Sequence, residues 1–272
     1  MNDSVPPGPT TVYLYDDPDA AGLDIDYLGR WLAARLPDVP IHTRGDYLTH
    51  HLGSLPEEAR ELRVAALEEA LRAAEVGNLV HPDSRELLPE EAPAERGWGA
   101  VYVGSQLQAI LRALLPTPET GAGAVHVAFT LQYLGEWAEA QPLLTLQAMV
   151  PGRPHLVSIS SLVEGLELPR QYHFLRQQMA VLGVGEETLD LDEQFSEEVL
   201  GYGEARLNEV LKGVVLQAIF QQLVGEPGCT SRRCRLHVAR SHQQALQTQL
   251  QGHPGLCPRH EALLRSWGGV PE

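Results

Sequence analysis

The chain has 272 residues, with 20 Lys and Arg against 36 Asp and Glu, a formal charge of −16. That balance argues against a non-specific nucleic-acid binder, which needs a net basic face. Hydrophobic residues make up 43% of the chain, enough for a buried core and too many for a disordered polymer. No run reaches the roughly 18–20 apolar residues of a membrane span. Residues 1–10 are polar and proline-rich, unlike a secretory signal, so a cytoplasmic chain without a membrane partner is expected.

Residues 1–10 read as a flexible tail. Val12 to Tyr15 is a short strand that Asp16-Asp17-Pro18 turns. Asp24 is placed to cap a helix over 25–36, with Ile25, Leu28, Leu32 and Leu36 on one face and Pro37 as the stop. A second strand, 39–43, completes a β–α–β opening. Residues 54–74 form an amphipathic helix with Leu62, Leu67, Ala70 and Leu71 inward. The proline- and acid-rich stretch 77–98 reads as an exposed loop. A strand at 100–103 leads into a helix over 105–115, and 116–123 is a linker. Residues 124–131, 144–150 and 155–160 read as three more strands, with 135–141 joining the first two as a hairpin or wide loop. From Leu162 onward the pattern is helical. The longest helix, 204–224, carries Leu207, Val210, Leu211, Val214, Val215, Ala218 and Ile219 at helical spacing. Gly225 and Pro227 end it, and further helices are expected over 235–250 and 258–267.

The strongest chemical signal lies in the last 44 residues, where all three cysteines fall. Cys229-x4-Cys234 is followed after a spacer by Cys257-x2-His260. Zinc takes four tetrahedral N/S donors, and two close pairs on turns are the usual way to supply them. An odd, clustered cysteine set in a cytosolic chain points to metal before disulfide. The predicted site is a structural zinc held by Cys229, Cys234, Cys257 and His260, with His237 as an alternative donor. The competing reading is three small buried hydrophobic residues and a surface histidine.

This tail resembles the archaemetzincins, zinc peptidases of the metzincin class. Gly225-x2-Gly228-Cys229-x4-Cys234-x-Leu236, then Cys257-x2-His260, resembles their pattern H-E-x-x-H-x-x-G-x-x-H-C-x4-C-x-M followed by C-x2-C. In that family three histidines hold a catalytic zinc, the glutamate is the general base and the four cysteines hold a structural zinc. The resemblance puts the first histidine on Ala218, the glutamate on Ile219, the second histidine on Gln222 and the third on Gly228. The glycine is kept at Gly225 and the first three cysteines at Cys229, Cys234 and Cys257. Leu236 stands for the methionine and His260 for the fourth cysteine. The structural half is therefore kept and the catalytic half is absent, and no other H-E-x-x-H occurs. The tail also resembles a less characterised group of bacterial and archaeal proteins, described as metallopeptidases of unknown function. Lys212-Gly213, Leu216-Gln217-Ala218, Gly225-Glu226-Pro227 and Cys234-Arg235-Leu236 carry that likeness.

Other residues offer weaker chemistry. His126, Glu164 and His173, with His155 nearby, could form a relocated metal or acid–base site. His50, His51 and His81 read as solvated loop residues. Arg232, Arg233, Arg235 and Arg240 form a small basic spot that balances thiolates or meets an acidic partner or a phosphate. Ser158, Ser160 and Ser161 lie in no G-x-S-x-G elbow, and no phosphate-binding glycine motif occurs.

The expected fold is α+β, a metzincin-like single domain over 11–272. A mixed sheet with helices occupies 11–161, and a helical, zinc-stapled half occupies 162–272. The expected function is a metallopeptidase homologue with a structural zinc and no standard catalytic centre. The alternatives are an active metal-dependent hydrolase using His126, Glu164 and His173, or a non-catalytic module that binds a peptide or protein.

Overall fold

The computed structural model describes residues 6–77, 101–137, 144–165, 167–169, 171–172, 174–175, 178–179, 194–195, 197–226, 228–251 and 254–270. Its strands are β1 (Thr11–Tyr15), β2 (Ile41–Arg44), β3 (Glu75–Gly77), β4 (Val101–Val103), β5 (Ala124–Thr130), β6 (Tyr133–Trp137), β7 (Leu144–Leu146), β8 (Met149–Val150) and β9 (His155–Ser158). Its helices are α1 (Ile25–Arg35), α2 (Tyr47–Gly53), α3 (Glu57–Ala74), α4 (Gly104–Arg112), α5 (Ile159–Glu164), α6 (Ala205–Val224), α7 (His242–Gln249) and α8 (Pro258–Ser266). The fold is mixed α+β. The strands form two sheets rather than the one expected, ordered β2-β1-β5-β9-β8 and β3-β4-β6-β7.

In the larger sheet β2, β1, β5 and β9 run parallel, and β8 adds an antiparallel edge. Successive side chains point to opposite faces of a strand. Val12, Leu14, Val125, Val127, Phe129 and Val157 therefore share one face, where they join residues of α1 and α6 in the main core. Tyr15, Ala128 and Leu156 point the other way and pack with Tyr47 of α2 and Leu107 and Leu111 of α4. A parallel sheet covered on both faces needs apolar residues at nearly every position, as β5 and β9 have.

Local chemistry accounts for most boundaries. Asp24 caps α1, its carboxylate accepting from the Tyr27 N–H at 2.7 Å. Helix α6 is apolar nearly all round and buried along most of its length. It ends at Gly225, whose φ of 79° lies in the left-handed region that glycine enters at no cost. The main core takes residues from both halves, from Val12 to Trp267.

Several expectations change. The segment from Pro6 is tied down: the Trp267 indole N–H donates to the Pro6 carbonyl at 2.8 Å, and the Thr10 N–H to Gly123 at 2.8 Å. Helix α2 replaces an expected loop. Asp46 caps it by accepting from the Thr49 N–H at 2.7 Å, and Tyr47 and His51, one turn apart, face inward. In α3 the partly or fully buried stripe runs Val64, Leu67, Leu71 and Ala74. Leu62 is 76% exposed because two residues turn a helix through about 200°.

The expected hairpin between 124–131 and 144–150 is not formed. After β5 the chain crosses into the second sheet as β6, where β7 pairs with it. It returns to the first sheet at β8, so 144–150 is two strands in two sheets. Gly135 lets Leu144 sit where a Cβ would stand, at 2.7 Å. At the end of β9, Ser158 Oγ accepts from the Ser161 N–H at 2.9 Å and starts α5 where strand was expected to continue. The helix expected over 235–250 begins only at His242, capped by Ser241, because Cys234 and His237 are held in bridges to Gly255 and Cys229. The stretch expected as a loop at 77–98 lies almost wholly outside the described residues, as does His81. Among the described residues no helix is long and apolar enough to cross a membrane.

Candidate metal centre

The turn that closes α6 delivers Cys229. A loop then folds back so that the Cys229 N–H donates to Leu236 O at 2.7 Å and the His237 N–H to Cys234 O at 2.8 Å. Cys257 precedes α8, with Pro258 in its first turn and His260 just behind. The Arg235 N–H donates to Gly255 O at 2.9 Å and ties the two segments together. Phe220 of α6 meets the His260 ring edge-on at 5.4 Å and the Trp267 ring at 4.8 Å. The unit therefore docks on the long helix.

One donor atom from each of Cys229, Cys234, Cys257 and His260 falls within 4.8 Å of all the others. The Cys229 and Cys257 sulphurs are 3.9 Å apart, and His260 Nδ1 is 3.6 Å from the Cys234 sulphur and 3.1 Å from that of Cys257. A tetrahedron with zinc bonds of about 2.3 Å to sulphur and 2.0–2.1 Å to nitrogen has edges of about 3.8 and 3.6 Å. The first two distances match those edges and the third is tighter. Cys234 and His260 are buried, while Cys229 and Cys257 are partly open. His237 is not in the group: its Nδ1 faces the Cys229 carbonyl at 2.9 Å.

The thiols differ. Burial pushes Cys234 up to about 12. Burial also opposes ionisation of Cys257, but the backbone N–H groups of His260 and Arg259 and the neighbouring thiols outweigh it and hold Cys257 below its ordinary value. Backbone N–H groups also reach sulphur from Ser231 to Cys229 and from Cys257 to Cys234, both at 3.4 Å. The four residues could hold a metal ion, and three sulphurs with one imidazole form the soft donor set that zinc takes.

A family model described as a family of unknown function, DUF7001, matches residues 13–263. The chain belongs to DUF7001. No curated protein matches it. Among solved structures, the DUF7001 chain is similar to the crystal structure of archaemetzincin (amzA) from Methanopyrus kandleri. That match has 15% identity, covers 95% of each chain and has a TM-score of 0.43.

In the DUF7001 chain, Ala218 and Ile219 are fully buried in the main core. The Gln222 amide donates to the Ala122 and Ala124 carbonyls at 2.9 and 2.8 Å. Among the described residues, the Cys229–His260 group alone gathers three or more His, Cys, Asp or Glu donors into a metal-sized set. Among the described residues nothing of that kind converges on Ala218 and Gln222.

The other candidates are dispersed. His126 pairs in register with Tyr13 and so shares the face of Tyr15. His155 pairs with Val127 and lies on the opposite face. Glu164 sits beyond the far ends of β5 and β9, where Tyr202 donates to its Oε1 at 2.7 Å and Tyr133 to its Oε2. The strand from His126 to Thr130 alone spans about 13 Å, which separates His126 from Glu164. His173 lies outside the described residues.

Around His126 the structure reveals a network that pattern reading missed. Arg44 forms a two-pronged pair with Glu119 at 2.7 and 2.8 Å and donates to the Tyr15 hydroxyl at 2.8 Å. His51, expected in a solvated loop, is 6% exposed and joins that hydroxyl. Burial and the adjacent His50 hold His51 down to about 4, and burial also lowers His126. The capping Asp46 and the one-turn spacing of Tyr47 and His51 were the available signals. In the basic spot Arg232, Arg233 and Arg240 are exposed. Arg235 is 2% exposed; it donates to Gln249 Oε1 at 2.9 Å and lies 5.7 Å from the Trp31 ring centre. Its charge is therefore withdrawn from the surface patch.

Proposed function

We propose that this chain is a metallopeptidase-like protein whose Cys229, Cys234, Cys257 and His260 bind one structural zinc and whose standard hydrolytic centre is absent. The convergence of four soft donor atoms within 4.8 Å carries this reading. A four-donor shell has no vacant position for substrate or water, so such a metal braces a fold instead of activating a nucleophile. Here it would clamp the 229–237 loop to α8 and both to Phe220 of α6. The positions where the resemblance would put a catalytic metal carry Ala218, Ile219, Gln222 and Gly228, none of which offers a ligand or base of the required kind.

Elemental analysis of purified protein tests the metal, with about one zinc per chain expected. Chelation should lower the melting temperature, and zinc should restore it. A chain with no zinc and an unchanged melt on chelation would overturn the proposal. A peptidase assay on unfolded protein substrates tests the second half. Metal-dependent cleavage that survives substitution of His126 and Glu164 would point to a hydrolytic centre elsewhere.

A further inference from the structure

We infer that Glu226 is a positioning residue for this metal centre, holding the His260 ring so that Nδ1, rather than Nε2, meets the ion; the inference rests on the zinc reading above. Two observations carry it. His260 Nδ1 points at the sulphurs of Cys257 and Cys234, at 3.1 and 3.6 Å. Its other nitrogen, Nε2, lies 3.3 Å from Glu226 Oε2. A carboxylate can only accept, so Nε2 carries the proton and donates it to Glu226. In the neutral ring that a metal requires, Nδ1 then carries the lone pair and faces the sulphurs.

Glu226 is itself fixed. Its Oε1 is paired with Arg259, the residue before His260, which leaves Oε2 for the imidazole. The carboxylate follows directly on Gly225, whose left-handed turn closes α6. The turn that brings Cys229 to the cluster thus also brings the group that orients its histidine. Charge favours the arrangement. Zinc with three thiolates and a neutral imidazole carries one net negative charge. Glu226 and Arg259 cancel each other, so the carboxylate polarises the ring without adding net charge. A cysteine at position 260 would have no second nitrogen and no use for such a partner. Outer partners of this kind tune metal affinity by about 10- to 100-fold.

The test uses the full chain and zinc or cadmium alone. Competition with a chromophoric chelator should show Glu226→Ala binding zinc about 10- to 100-fold more weakly than wild type, with Glu226→Gln in between because its amide oxygen still accepts. Nitrogen-15 NMR of the metal-loaded wild type should show His260 bound through Nδ1 and protonated at Nε2. A purely structural role for Glu226 predicts equal zinc affinity in the folded variants. Equal affinity, or binding through Nε2, overturns the inference and leaves the zinc site standing. A wild type that takes up no zinc overturns both.

Discussion

The hydroxyl of Tyr15 lies 3.0 Å from Nδ1 of His126, a contact between neighbouring parallel strands with both side chains fully buried. His126 Nε2 faces the Glu119 carbonyl at 2.8 Å, and a carbonyl can only accept. Nε2 therefore carries the ring proton, and Nδ1 accepts from Tyr15. The Tyr15 oxygen in turn accepts from Arg44 at 2.8 Å and from His51 Nε2 at 3.1 Å. In this arrangement the Tyr15 hydroxyl donates once and accepts twice, and burial disfavours the charged form of both histidines. His126 is thus occupied in joining β5 to β1, α2 and the turn before β5.

Replacing Tyr15 with Phe tests that arrangement. The change keeps the ring and removes one donor and two acceptor positions, leaving polar atoms of His126 and His51 without their partner, while Arg44 keeps Glu119. A cost of about 2–3 kcal/mol is expected, read as a lower denaturation midpoint with an unchanged slope. A loss below about 0.5 kcal/mol would mean that the hydroxyl is readily replaced by water.

Acid should unfold the protein through its buried histidines. Burial holds His51, His155 and His242 down to about 4 and lowers His126, whereas an unfolded histidine titrates near 6.5. Between those values the unfolded chain binds protons that the native chain refuses, so stability falls as pH falls. The contribution is present above about pH 6.5 and is lost on the way to about pH 4, a window worth about 3 kcal/mol for His51. Melting temperatures from pH 7.5 to 4.5 should fall, and His51→Gln should give a shallower slope. Because acid strips metal from wild type and variant alike, the difference in slope isolates the histidine.

Chelation should act locally. Hydrogen exchange should quicken in 229–237 and α8 once zinc is removed, while β1, β5 and β9 stay protected, because those strands hydrogen-bond to one another and not to the cluster. Uniform loss of protection would show that the metal governs the whole fold.

Lys212 is the chain's one lysine, and it is buried. Its Nζ lies 2.7 Å from the Tyr27 hydroxyl, 2.7 and 2.9 Å from the Glu209 oxygens, and 4.5 Å from the Tyr27 ring centre. An amine-reactive reagent should label Lys212 at least about 100-fold more slowly in the native protein than in the unfolded chain. Mass spectrometry of peptides reads the ratio. Lys212→Met, which removes the cation paired with the partly exposed Glu209 carboxylate, should cost about 2 kcal/mol, between the values for exposed and buried pairs.

The gathering of Cys229, Cys234, Cys257 and His260 was legible in the sequence because close spacing alone confines Cys229 with Cys234 and Cys257 with His260, and because no cysteine competes elsewhere. The long buried helix was legible too, since its apolar residues repeat at the helical period and Gly225 stops it. What only the tertiary structure decided depends on pairings between distant segments. His51 and Arg235 look like surface residues in sequence, and each is buried because a partner from another element, Tyr15 or Gln249, replaces the water it gives up. The split of 144–150 between two sheets, and the placing of His126 and His155 on opposite faces, follow from which strand lies beside which. Strand pairing is a contact between segments far apart in the chain, and local periodicity carries no record of it.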